Sequence, residues 1–275
     1  MAVALGEVID ALETRYDPAL AEAWDAVGLV CGDRAEPVER VLFAVDPVRT
    51  VVDEVLAGGA QLLVTHHPLF LTAVHGVPAD DAKGRIAHRL IRGGAALFVA
   101  HTNADRAPEF GVNDALAAAL GLVDAVPLQP VAPGSPAGLG RVGRLPRSVP
   151  LRHFAAAVAE ALPVTAGGVR IAGDPMRPVH TVAVCGGSGG SLVDAAAAAG
   201  ADVLVTSDLR HHPASEAAEG GGPALIDVAH YATEWPWLPV AAQRLAADLG
   251  DRVEVVVSRR TTDPWTSHVL QPGRG

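Results

Sequence analysis

The chain has 275 residues, with 21 basic against 31 acidic side chains and a net charge of −10. Hydrophobic residues make up 49% and charged residues 19%, a balance that excludes a disordered or collagen-like chain and leaves ample material for a buried core. The acidic excess would repel a phosphate backbone and argues against a sequence-independent nucleic-acid binder.

Val8, Ile9 and Leu12 fall at helical spacing, and Pro18 stops that first helix. Glu7, Asp10 and Glu13 stand where a signal peptide would be apolar, and no apolar run approaches the ~20 residues that span a bilayer. A cytoplasmic protein with no membrane association is therefore expected. AWDAVGLVCGD (23–33) follows, its glycines suggesting a tight turn. From residue 40, RVLFAVD (40–46) reads as a buried strand, residues 48–58 as a helix and QLLVT (61–65) as a second strand. Strand, helix, strand with short loops implies a βαβ unit and a mostly parallel sheet. Residues 127–149, rich in Pro and Gly, read as a linker or surface flap before a helix over 151–162. The pattern then resumes: strand 181–187, helix 191–200, strand 202–206, a late strand over 222–229, a closing helix over 239–249 and a last strand over 252–258. Residues past about 264 read as a tail. Cys31 and Cys185 lack CxxC spacing, so they read as buried thiols of a reducing compartment.

Two stretches repeat. AGGAQLLVT (57–65) and AAGADVLVT (198–206) align with an offset of 141 residues, which also places Asp53 onto Asp194. LFVAHTNAD (97–105) resembles IDVAHYATE (226–234), pairing His101 with His230 and Asp105 with Glu234. This reads as an internal duplication of an α/β half. The expected organisation is a first half over 1–126, the Pro/Gly-rich linker and helix over 127–177, and a second half over 178–275, forming one compact unit. Two such halves would bring their strands' carboxyl ends to a shared crevice, where open α/β sheets bind ligands.

The chemistry-bearing residues sit at those ends. His66 and His67 directly follow a buried strand, and adjacent side chains on a strand point to opposite faces, so both converge only where the chain turns, as Pro68 allows. The pair is placed to bind two separate metal ions. His101 with Asp105, and His230 with Glu234, are each four residues apart after a strand, a spacing that puts both side chains on one helix face. Imidazole with carboxylate and no thiolate suits zinc, iron or manganese. His101 reads as a proton shuttle or a group behind the ligands. His211 and His212 face a cleft or merely start a solvated helix. CGGSGGS (185–191) is either an anion cradle or a tight turn, and it lacks the dinucleotide and P-loop patterns. Trp235 and Trp237 line a pocket, a subunit contact or the core.

LLVTHHPLFL (62–71), HTNADRAPEFGVNDALAAALGL (101–122), CGGSGGSLVDAAAAAGADVLVTSD (185–208) and DVAHYATEW (227–235), in that order, resemble the NIF3-like dinuclear metal-centre family. Some members of that family are called GTP cyclohydrolase 1 type 2. AWDAVGLVCGD is similar to its N-terminal signature, and the resemblance covers nearly the whole chain. It implies two pseudo-duplicated α/β lobes with mostly parallel sheets and a metal site in the cleft between them. Position by position it implies His66, His67, Asp105, His230 and Glu234 as ligands of two divalent transition-metal ions per chain. Ala26 stands where the signature has Asn, and Thr206-Ser207-Asp208 where Thr-Gly-Asp is usual, so Asp208 is kept as an acid behind the ligands or facing the substrate while the glycine's backbone freedom is lost. A long insertion found in some members is missing.

A metal-dependent hydrolase is the expected function, with a water acidified between two ions and His101 or Asp208 shuttling its proton. The resemblance implies GTP cyclohydrolase I-type chemistry, in which GTP and water give formate and dihydroneopterin triphosphate. It also implies a homohexamer built as a trimer of dimers. A dinuclear phosphoesterase and a non-enzymatic metal-handling protein are the alternatives.

Overall fold

The computed structural model describes residues 2–269, and the last six residues of the expected tail lie outside the described residues. The chain forms two units. The first comprises the residues up to Ala115, Pro130–Leu139 and Glu234–Thr262; the second comprises Leu116–Gln129, Gly140–Thr233 and the residues from Asp263 on.

The first unit is built on a five-stranded sheet in the order Glu254–Val257, Arg40–Ala44, Leu62–Thr65, Ala96–Val99, Gly28–Cys31. The first four strands run parallel and the last antiparallel. LLVT and ALFV are buried at every position, because a parallel strand covered on both faces has no polar side to alternate with. The helix Arg49–Gly58 buries Val51, Val52 and Val55, and these join Leu42, Leu63, Leu90 and Leu97 in the core. At Gly32, φ is +130° and a Cβ would lie 2.5 Å from that of Ala96, so only glycine lets this edge strand approach. The closing helix runs Trp237–Leu249. It starts earlier than expected because Pro239 falls in the first turn, where a missing N–H costs nothing.

The second unit holds a six-stranded sheet in the order Val123–Pro130, Gly138–Pro150, Pro178–Val184, Val203–Thr206, Ala224–Val228, Val169–Ala172. Only the run Pro178–Val184, Val203–Thr206, Ala224–Val228 is parallel, and antiparallel strands flank it. This sheet is therefore mixed rather than mostly parallel. The difference comes from Val169–Ala172 and from the Pro/Gly-rich stretch 127–149, which pairs largely as strand instead of acting as a linker or flap. Pro130 ends a strand, Pro127 lies in the strand at the sheet's margin and Pro146 falls at an irregular step in the pairing, where ladder donors are dispensable. The repeated segments fold alike, Leu62–Thr65 and Val203–Thr206 each lying between two parallel neighbours.

Candidate metal centre

The sheet ladder continues past Leu62–Thr65. His66 N–H donates to the Ala44 carbonyl (3.2 Å) and His67 N–H to that of Val45 (2.9 Å). The chain then turns at Pro68, which brings both rings to one side with centroids 5.1 Å apart. Beside them, Ala96–Val99 leads to His101, which opens the short helix Thr102–Asp105. Glu234 ends the helix His230–Glu234.

Within the first unit these groups converge. Buried His66 places Nε2 3.4 Å from Glu234 Oε1 and 3.7 Å from Asp105 Oδ1. His67 Nε2 lies 3.1 Å from Glu234 Oε2. The His101 ring stands 5.1 Å from that of His66, and one nitrogen from each of His66, His67 and His101 falls within a common 4.8 Å. His66 Nδ1 faces the Ala100 carbonyl at 2.9 Å. A carbonyl only accepts, so Nδ1 carries a proton and Nε2 is the nitrogen turned toward the two carboxylates. That buried Nε2 lacks a well-formed hydrogen bond, a state that costs roughly 1–3 kcal/mol. Burial pushes the His66 pKa down, but Glu234 and Asp105 outweigh it and raise it. Burial likewise opposes, and Glu234 with Asp46 overcomes, for His67, which rises well above the usual imidazole value. His101 goes the other way, to about 4, through burial and the neighbouring His66.

Two donors each about 2.1 Å from one ion at the tetrahedral angle lie roughly 3.4 Å apart. The two His66–carboxylate separations match that spacing, whereas His67 Nε2 and Glu234 Oε2 at 3.1 Å are within hydrogen-bond reach; the clustered donors could hold a cation. Nitrogen and oxygen donors without sulfur suit zinc, iron or manganese.

The residues expected from sequence divide as follows. His66, His67, Asp105 and Glu234 come together, with His101 beside them. His230 counts with the second unit, where its Nδ1 lies 2.7 Å from Asp208 Oδ2; Asp208 thus holds an imidazole. Asp208 also takes the left-handed backbone (φ 57°), so Ser207 has no need of glycine's freedom. Ser207 is buried instead, its hydroxyl 3.0 Å from that of Thr233. In the 185–191 loop, Gly187 N–H donates to Thr233 Oγ1 and Gly189 N–H to Thr206 Oγ1, which is the tight turn and leaves those amides no anion to cradle. His211 and His212 are exposed at the start of the helix His211–Glu219. Trp237 is fully buried against Tyr16, Phe43 and His66.

Two acids in the site were not singled out from sequence. Asp46 Oδ1 accepts from His67 Nδ1 at 2.7 Å. Asp25 Oδ2 accepts from His101 Nδ1 (3.0 Å), Thr102 N–H (3.1 Å) and Thr102 Oγ1 (2.6 Å). Each had a signal: Asp46 stands just past a strand's carboxyl end, and Asp25 lies inside the N-terminal signature.

The fold is an α/β protein carrying, at the carboxyl ends of parallel strands, a cluster of imidazoles and carboxylates that could hold a metal ion. The sequence model of the Duf34/NIF3 (NGG1p interacting factor 3) family matches residues 3–264. The chain belongs to that family. It is 52% identical over 271 residues to a Streptomyces coelicolor protein called "GTP cyclohydrolase 1 type 2 homolog", covering 96% of this chain and 94% of that one. A Mycobacterium tuberculosis protein of the same name is 39% identical over an alignment of 373 positions, covering 96% of this chain and 97% of the relative; that relative carries a long insertion which this chain lacks. The crystal structure of a Bacillus cereus protein related to NIF3 superposes with a TM-score of 0.88 at 26% identity, over 96% of this chain and 98% of that one. Among the described residues, no helix is long and apolar enough to cross a membrane.

Proposed function

We propose that the protein is a dinuclear metal-dependent hydrolase acting on GTP. The observation that supports this reading is the placement of Glu234, whose two oxygens face different histidines, Oε1 toward His66 and Oε2 toward His67. His66, His67, Asp105 and Glu234 would hold the ions, and the resemblance adds His230, one helical turn before Glu234.

When bound, the ions supply Lewis acidity and an acidified water. The chain's own residues do the rest. The Ala100 carbonyl and Asp46 hold the His66 and His67 rings in the tautomer that turns Nε2 to the site. Asp208 does the same for His230. Asp25 accepts from His101 Nδ1, so His101 Nε2 is left to take a proton, and its depressed pKa keeps that nitrogen unprotonated near pH 7. The name shared by the relatives points to GTP, with formate and dihydroneopterin triphosphate as products.

Purified protein loaded with zinc, iron or manganese and given GTP is expected to yield formate and pterin fluorescence in equal amounts, and the Glu234→Ala variant neither. Phosphate release without formate would replace the substrate reading with a phosphoesterase. Metal exchange with no turnover of GTP or a metabolite panel would contradict the hydrolase.

A further inference from the structure

After the edge strand Glu254–Val257, residues 258–262 run beside the carboxyl end of Arg40–Ala44 and are tied down at both ends. Ser258 is buried. Its N–H donates to the Phe43 carbonyl (2.8 Å), its hydroxyl to Glu54 Oε2 (2.7 Å), and its carbonyl accepts from the Trp235 indole (3.3 Å). Arg260 adds an ion pair to the same Glu54 oxygen at 3.0 Å. At the far end the Thr262 hydroxyl donates to Asp46 Oδ2, the oxygen of Asp46 that His67 does not use.

We infer that residues 258–262 form a positioning strap for the metal centre, in which Thr262 fixes Asp46 and, through it, His67. The inference rests on the metal-binding reading above. The physical reason is directional. A carboxylate held at one oxygen only can rotate about its own bonds, and the imidazole it orients rotates with it. A hydroxyl on the second oxygen fixes the carboxylate plane and therefore the line along which His67 Nε2 points toward Glu234 Oε2. Partners behind a ligating histidine commonly change metal affinity about 10–100-fold when removed, and one step further back a smaller effect is expected. The other anchor reaches the same site by a separate route, since Trp235 adjoins Glu234 in the chain and its indole holds Ser258.

The test measures zinc affinity by chelator competition in the full chain, alongside thermal melting of the metal-free form. Thr262→Val removes the hydroxyl while keeping the shape. It is expected to weaken the weaker-binding of two zinc ions about three- to tenfold, with Thr262→Ser restoring wild-type affinity and the metal-free melting temperature little changed. By reciprocity of coupling, zinc should also slow amide hydrogen exchange over residues 258–262 in the wild type and much less in Thr262→Val. Two zinc ions bound with equal affinity by wild type and Thr262→Val, or a Thr262→Ser variant no better than Val, would overturn the strap and leave the metal centre standing. A wild type that binds no zinc would overturn both.

Discussion

At His101 two neighbours pull in opposite directions. Burial and the adjacent His66 drive its pKa down to about 4, while the carboxylate of Asp25 draws it up. That depression leaves the ring neutral near pH 7 with Nδ1–H donated to Asp25. Replacing His101 by Gln is expected to leave metal content unchanged and to lower turnover by about 10²–10⁴-fold, the usual weight of a positioned acid–base group; metal analysis beside the GTP assay checks it. Asp25 carries its own signature. Burial pushes its pKa up, but hydrogen bonds from Thr102 and His101 outweigh this and hold it below the ordinary carboxylate value. A depressed pKa in the folded state gives stability that is present above the unfolded value near pH ~3.9 and lost as pH falls through the folded one. Melts of wild type and Asp25→Asn from pH 7 downward are expected to show the wild type ahead at neutral pH, with the gap closing in acid. A gap that is flat with pH would contradict the assignment.

The elements that build the site are ordinary; their ends are not. Leu62–Thr65 and Ala96–Val99 are apolar strands buried on both faces, and each releases a histidine where its ladder stops. These strands, the helix Arg49–Gly58 and the parallel pairing were legible because β-branched runs, helical spacing and short loops agree at that place. The stretch 127–149 was not, because prolines and glycines are punctuation in a short-range reading, whereas pairing beside Pro178–Val184 is a long-range fact. The site follows the same division. His66, His67, Asp105 and Glu234 were legible from spacing after strands and from the family resemblance. Asp25 and Asp46 were not, since their partners His101 and His67 lie 76 and 21 residues away. One element-level expectation is that Gly32→Ala, blocked by Ala96 and by its positive φ, destabilises the first unit by about 1–3 kcal/mol, readable by thermal or urea unfolding. A substitution without effect would mean that this edge strand does not approach as closely as the structure places it.

Across the whole chain, the repeated segments share a scaffold and then diverge. Adding the offset of 141 residues to His66 and His67 lands on Ser207 and Asp208, one a buried hydroxyl and the other the acid that holds His230. The histidine pair thus stands in one repeat and a serine and an aspartate in the other, while His101/Asp105 and His230/Glu234 keep the same residue classes in both. The ring of six chains that the resemblance implies is a proposal for light scattering on size-exclusion eluate, where six copies per particle are expected and a lone chain would count against it. Four side chains of the first unit, His66, His67, Asp105 and Glu234, would close around the proposed cations. Elemental analysis of protein purified without chelator or added metal tests this most directly. Close to two transition-metal ions per chain are expected, falling in Glu234→Ala; a wild type without metal, or a Glu234→Ala variant carrying the same load, would contradict it.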